Sequence, residues 1–235
     1  MNDSIFEAVV STRSPAGRDH LAPMGVRWQP EGVVLMPFKP STTLDNILAS
    51  GVAVLNLVTD ARVFAGCVTG RRDWPLRPAT QVLGAYLACA LRHVELRLDH
   101  QHDDGQRPVL HMRTLHDATH APFQGLNRAQ AAVLEGAILV SRLHLLPAAK
   151  VDAELAYLQI AIDKTASPAE HEAWGWLREA VARHRAAAGT APGAAPGAAP
   201  GAIAASGQAS LAVPMARREP AQAVSDKAAV QPRGG

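Results

Sequence analysis

The chain has 235 residues with 23 basic and 21 acidic side chains, a formal charge of +2. The excess lies after residue 187, where Arg217, Arg218, Lys227 and Arg233 stand against Glu219 and Asp226, so the preceding body is neutral. A neutral body lacks the basic field that dominates nucleic-acid affinity, and every apolar run is broken by charge or proline short of the ~20 residues a membrane-spanning helix needs.

In chain order, residues 5–13 and 20–29 are β-type runs separated by the turn Ser14-Pro15-Ala16-Gly17, which predicts a hairpin. A third strand is expected over 33–38 after Pro30-Glu31-Gly32, giving an antiparallel meander. The period then changes: Leu44, Ile47 and Leu48 mark a short helix over 41–50. Residues 52–58 read as a strand buried on both faces, and 63–68 as a further strand. A helix or irregular connector over 78–91 leads to a strand at 94–98 that pairs with 109–115. Helices are expected over 127–143, 151–162 and 168–184. Beyond residue 187 proline recurs every fourth position in an Ala-Pro-Gly-Ala repeat, which predicts a disordered tail. The class is therefore α+β, an antiparallel barrel over 1–122, a helical appendage over 123–186 and a tail over 187–235.

Cys67 and Cys89 form no Cys-x-x-Cys pair and residues 1–5 lack signal-peptide character, so a reduced, cytoplasmic protein is expected. Lys39-Pro40-Ser41-Thr42-Thr43-Leu44-Asp45-Asn46 gathers hydroxyls where a strand enters a helix. Such a start either binds a phosphate or is an ordinary cap, and locally the cap is the simpler reading. Ala22-Pro23-Met24-Gly25 is either an edge strand with a bulge or a place where a flat ligand meets backbone. Histidines 100, 102, 111, 116 and 120 cluster in sequence without ligand spacing, so no metal site is expected and surface histidines of a hairpin are preferred. Arg128, Glu135 and Arg142 fall seven residues apart, one stripe of a helix that faces either solvent or the barrel.

The order of these segments, with Val54-Leu55-Asn56-Leu57-Val58-Thr59-Asp60 and Asn127-Arg128-Ala129, resembles the FMN-binding split β-barrel proteins. Within them it resembles the small family labelled domain of unknown function 447, found in archaea and methylotrophic bacteria. The resemblance implies a split barrel with FMN as cofactor. Ser41, Thr42, Thr43 and Asn46 would hold the phosphate with Lys39 beside them, backbone at Met24 and Gly25 would face the ring, and Asn56 would help close the pocket. Pro40 departs from the small or flexible residue usual before the hydroxyls. A homodimer with flavin at its interface is implied, as is a flavin-dependent reductase acting on a small molecule in one-carbon or methanopterin-type metabolism. A deazaflavin in the same pocket, a non-catalytic flavin carrier and a ligand-free structural dimer stay open. No residue is fixed as catalytic, with His116 or His120 the candidates for an acid.

Overall fold

A computed structural model describes residues 4–103 and 107–189. Six strands close into an antiparallel barrel: β1 (Phe6–Arg13), β2 (Asp19–Gln29), β3 (Gly32–Leu35), β4 (Val52–Leu57), β7 (Arg92–Asp103) and β8 (Pro108–Thr119), in the order β1-β2-β3-β8-β7-β4. Pairing of β1 with β4 completes the ring. Alternation along each strand sends Ala8, Val10, Met24, Val26, Val33, Leu35, Leu55, Val94, Leu96 and Leu110 to the interior. Helix α1 (Thr42–Ser50) adds Leu44 and Ile47 to the same cluster, so its apolar face helps fill the barrel. Full burial of Ile47 contributes ~2 kcal/mol by area.

The outward residues Val9 and Leu21 belong to a second core, built with α2 (Ala61–Thr69), α3 (Arg128–Ser141), α4 (Ala148–Thr165) and α5 (Pro168–Gly189). The three helices expected after residue 127 are present. The chain crosses between α3 and α4 through a 3-10 turn at Leu143–Leu145.

Three expectations are corrected. Residues 63–68 lie in helix α2, not a strand: the Asp60 side chain accepts from the Arg62 amide at 3.1 Å, and Gly70 at φ 89° ends the helix in a conformation that other residues resist. The third strand stops at Leu35, before Pro37. The connector contains neither a helix nor an entirely irregular path. It holds β5 (Leu76–Pro78) and β6 (Ala85–Leu87), a separate two-stranded sheet.

The Pro23 segment differs too. No register shift separates β1 from β2, and a closed barrel has no outer edge strand. β3, however, reaches β2 only from Val26 onward, so residues 19–25 have a strand on one side alone. That is where a missing N–H is tolerated. Residues 190–235, most of the tail expected from 187, lie outside the described residues, and α5 runs to Gly189.

Candidate functional site

At the start of α1, Ser41 is the cap and its Oγ accepts from the Leu44 amide at 3.3 Å, while the Asp45 amide reaches the Ser41 carbonyl at 3.0 Å. No intrahelical carbonyl serves the amides of Thr42 and Thr43, which point out of the helix N-terminus. Thr42 is exposed, Ser41 half-buried and Thr43 buried. Ser41 keeps its O–H to donate, because the bond to Leu44 uses only an oxygen lone pair. The neighbouring Lys39 ammonium lies 3.8 Å from Asp103, both well exposed. The bond that caps the helix leaves two amides and two hydroxyl protons without an intrahelical acceptor.

Asn46 is buried and donates to Thr12 Oγ1 at 3.0 Å, tying α1 to β1. The Met24 side chain is in the barrel interior, whereas Gly25 is partly exposed in the stretch of β2 that lacks a second strand. Asn56 is completely buried on the outer face of β4. Its amide nitrogen donates to Val9 O, Val54 O and Ser11 Oγ at 3.0–3.2 Å, and its oxygen accepts from the Leu87 amide at 2.7 Å. These bonds join β4 and β1 to β6, and Asn56 has no N–H left for a ligand. The structure therefore brings Lys39, Ser41, Thr42, Thr43 and Asn46 to one helix start and places Asn56 in the wall behind β6.

A second polar cluster lies on the outer face of β7 and β8. Glu95 is fully buried and accepts three backbone amides, from Thr80 at 2.6 Å, Gln81 at 2.6 Å and Val82 at 2.9 Å, together with a contact to His93 Nε2 at 3.1 Å. Burial raises its pKa, but those amides and His93 outweigh burial and hold the carboxyl below its ordinary value. His93 Nδ1 lies 2.8 Å from His120 Nε2, and Tyr86 stacks on His93 at 4.1 Å and on His120 at 4.9 Å. Burial, helped by the charges of His93, Arg77 and His116, lowers the pKa of His120.

Sequence reading missed His93, Glu95 and Tyr86. Of its five histidines, 116 and 120 join this cluster, whereas His100, His102 and His111 stack on one another on the hairpin. The only signal was the alternation His93-x-Glu95 on a strand, which means little until the partner strand is known. Glu135 of α3 and Arg142, the residue just after its end, act on Glu7 of β1, so part of that stripe faces the barrel, while Arg128 is exposed. A groove of about 530 Å³ lies between α4 and α5, lined by Leu155, Gln159, Trp174 and Arg178, and includes none of these groups. Among the described residues no helix is long and apolar enough to cross a membrane.

Residues 6–121 match the family model described as protein of unknown function (DUF447) N-terminal domain, and residues 127–179 the one described as protein of unknown function (DUF447). The FMN-bound protein MM1853 from Methanosarcina mazei superposes with a TM-score of 0.66 at 21% identity, over 76% of this chain and 96% of that one. The FMN-binding protein from Thermus thermophilus with bound p-hydroxybenzaldehyde gives a TM-score of 0.42 at 17% identity, over 48% and 70% of the two chains. The 2-nitrobenzoate 2-nitroreductase NbaA of Pseudomonas fluorescens gives 0.42 at 19%, over 48% and 64%. No curated protein matches.

Proposed function

Because this chain belongs to the DUF447 family, with its N- and C-terminal parts in order, we propose that it binds FMN and is a flavin-dependent oxidoreductase. Support comes from the FMN-bound state of MM1853, which shares the fold. In this chain the observation that carries the reading is the first turn of α1, where the Thr42 and Thr43 amides and the Ser41 and Thr42 hydroxyls converge without intrahelical acceptors. These groups fit a phosphate monoester. Pro40 removes one amide from that turn, and the two that remain suffice for an anion there.

In this reading Ser41, Thr42 and Thr43 bind the phosphate, Lys39 adds a positive charge beside them, and Asn46 positions the helix through Thr12. The one-sided stretch of β2 at Met24 and Gly25 offers backbone groups to a flat ring. Asn56 acts from behind, holding β6 against β4. Bound FMN would supply hydride or electron transfer, and the protein would orient it and exclude water. A second copy covering the open stretch of β2 completes the reading as a cytoplasmic homodimer. Its setting in one-carbon or methanopterin-type metabolism rests on the resemblance alone.

The test begins with the ligand released from purified protein, identified by its absorption and mass. FMN is then titrated into parent and a Ser41→Ala/Thr42→Ala/Thr43→Ala variant. Hydrogen bonds to a charged group contribute ~1.5–3 kcal/mol each, so losing even one weakens FMN by about tenfold or more. Unchanged affinity would overturn the phosphate assignment, and a released deazaflavin would overturn the cofactor. Steady-state oxidation of a reduced nicotinamide by the holoprotein separates an oxidoreductase from a flavin carrier, and light scattering gives the oligomeric state.

A further inference from the structure

We propose that His93, Glu95 and His116 form a binding site for a divalent transition-metal ion of the zinc class. One nitrogen from each imidazole and one carboxylate oxygen all lie within 4.8 Å of one another. The site follows from the sheet. His93 and Glu95 alternate onto the outer face of β7, and His116 stands directly opposite Glu95 on β8. A register shift falls immediately after Glu95, the kind of irregularity that re-aims side chains next to a site.

The spacing suits an ion. His93 Nε2 and Glu95 Oε1 are 3.1 Å apart. Two ligands about 2.0–2.1 Å from a tetrahedral zinc stand roughly 3.3 Å from each other, so this pair is already at ligand separation. His116 is partly exposed on its strand, and a change of side-chain rotamer would close the remaining distance.

The surroundings are those that metal ligands require. Three backbone amides fix the Glu95 carboxylate. His93 Nδ1 lies 2.8 Å from His120 Nε2, so the tautomer with its proton on Nδ1 donates there and frees the Nε2 lone pair for an ion beside Glu95, and the stacked Tyr86 ring holds the imidazole plane. The buried Glu95 carboxylate is enclosed by amide dipoles, and a divalent cation would set a full opposing charge beside it. Two nitrogens and one oxygen suit zinc, cobalt or nickel rather than calcium or magnesium, and three protein ligands leave a coordination position open. The competing arrangement puts a proton on Nε2 instead, giving a Glu95–His93–His120 hydrogen-bonded chain with no ion. The metal assignment does not depend on flavin binding.

The test uses the full chain without an affinity tag, stripped with chelator and re-equilibrated with Zn²⁺, with metal measured by elemental analysis after gel filtration and stability by thermal melting. The expected result is one zinc per chain and a raised melting temperature. His116→Ala should weaken binding by at least ~10–100-fold, the range seen even for outer-shell partners, and His116→Cys should restore it. A His100→Ala/His102→Ala/His111→Ala variant should bind as the parent does. The proposal fails if no stoichiometric zinc is retained, or if the hairpin variant loses the metal while His116→Ala keeps it. Should His116→Ala not fold, the Cys variant decides: a folded His116→Cys chain that binds no zinc also overturns the site.

Discussion

Asn56→Leu separates a structural role for this residue from a ligand role. Leucine keeps the same branched heavy-atom skeleton with bulkier methyls, so the change removes hydrogen bonds without opening a cavity and adds some overpacking. It strands the Leu87 amide, now bonded at 2.7 Å, and removes the Asn56 donor from the Val9 carbonyl at 3.0 Å, in a place with no solvent access. A buried group left without a partner costs ~1–3 kcal/mol, whereas Ser11 retains its bonds to the Val54 and Ala85 carbonyls. The expected loss is about 2–4 kcal/mol once the gain from a buried apolar side chain is set against two stranded groups. Urea unfolding should show a lowered midpoint with unchanged slope. Hydrogen exchange should report faster exchange at the Leu87 amide, since β6 loses its anchor on β4. FMN titration under conditions where the variant is folded should give the parent affinity. A loss below about 0.5 kcal/mol, or weakened FMN binding with stability intact, would refute the reasoning and return Asn56 to the pocket.

Two further outcomes follow from the geometry. A Cβ at Gly32 would stand 1.9 Å from the Met112 carbonyl oxygen, backbone that cannot yield without parting β3 from β8, so Gly32→Ala should cost more than the ~1 kcal/mol of an average substitution, measured by urea unfolding. Burial first, then the negative charge of Glu135, raises the Glu7 pKa against the opposing pull of Arg142, and Glu7 Oε2 is inaccessible and unpartnered. A folded-state pKa above the unfolded value means that Glu7 favours folding below the ordinary glutamate value and loses this contribution as pH rises through the folded one. Glu7→Gln should therefore melt higher than the parent at pH 7, with the difference disappearing toward pH 4 in thermal scans.

The parts of the fold legible in the sequence are those fixed by local chemistry. Alternation at 5–13 and 20–29, the turn at Ser14-Pro15-Ala16-Gly17 and the i, i+3, i+4 spacing of Leu44, Ile47 and Leu48 state their own conformation, and β1, β2 and α1 lie there. Residues 63–68 misled because the apolar run suits a buried strand or a buried helix equally. Asp60 and Gly70 decide between them, as a cap that accepts the Arg62 amide and a stop in the left-handed conformation. The 75–90 segment could not be read, because polar groups from other strands hold it: Asn56 on Leu87, Ser11 on Ala85 and Glu95 on residues 80–82. No periodicity within the segment encodes partners that are supplied from elsewhere.

The same distinction divides the two candidate sites. The α1 start is contiguous, so its hydroxyls announce themselves: one cap bond satisfies Leu44 and leaves the Thr42 and Thr43 amides without an intrahelical acceptor, which both readings of that start allow. The β7–β8 cluster is assembled by register. Glu95 faces His116 only because β8 pairs at that position, and a slip of one residue would send His116 to the barrel interior. Linear spacing among His100, His102, His111, His116 and His120 therefore pointed to the wrong members, grouping three hairpin histidines with two from the cluster and omitting His93 and Glu95. The neutral body has a matching explanation: charge that matters here is placed rather than accumulated, with one carboxylate enclosed by three amides and one helix terminus left open to an anion. A net charge sums such groups to zero and carries no information about either.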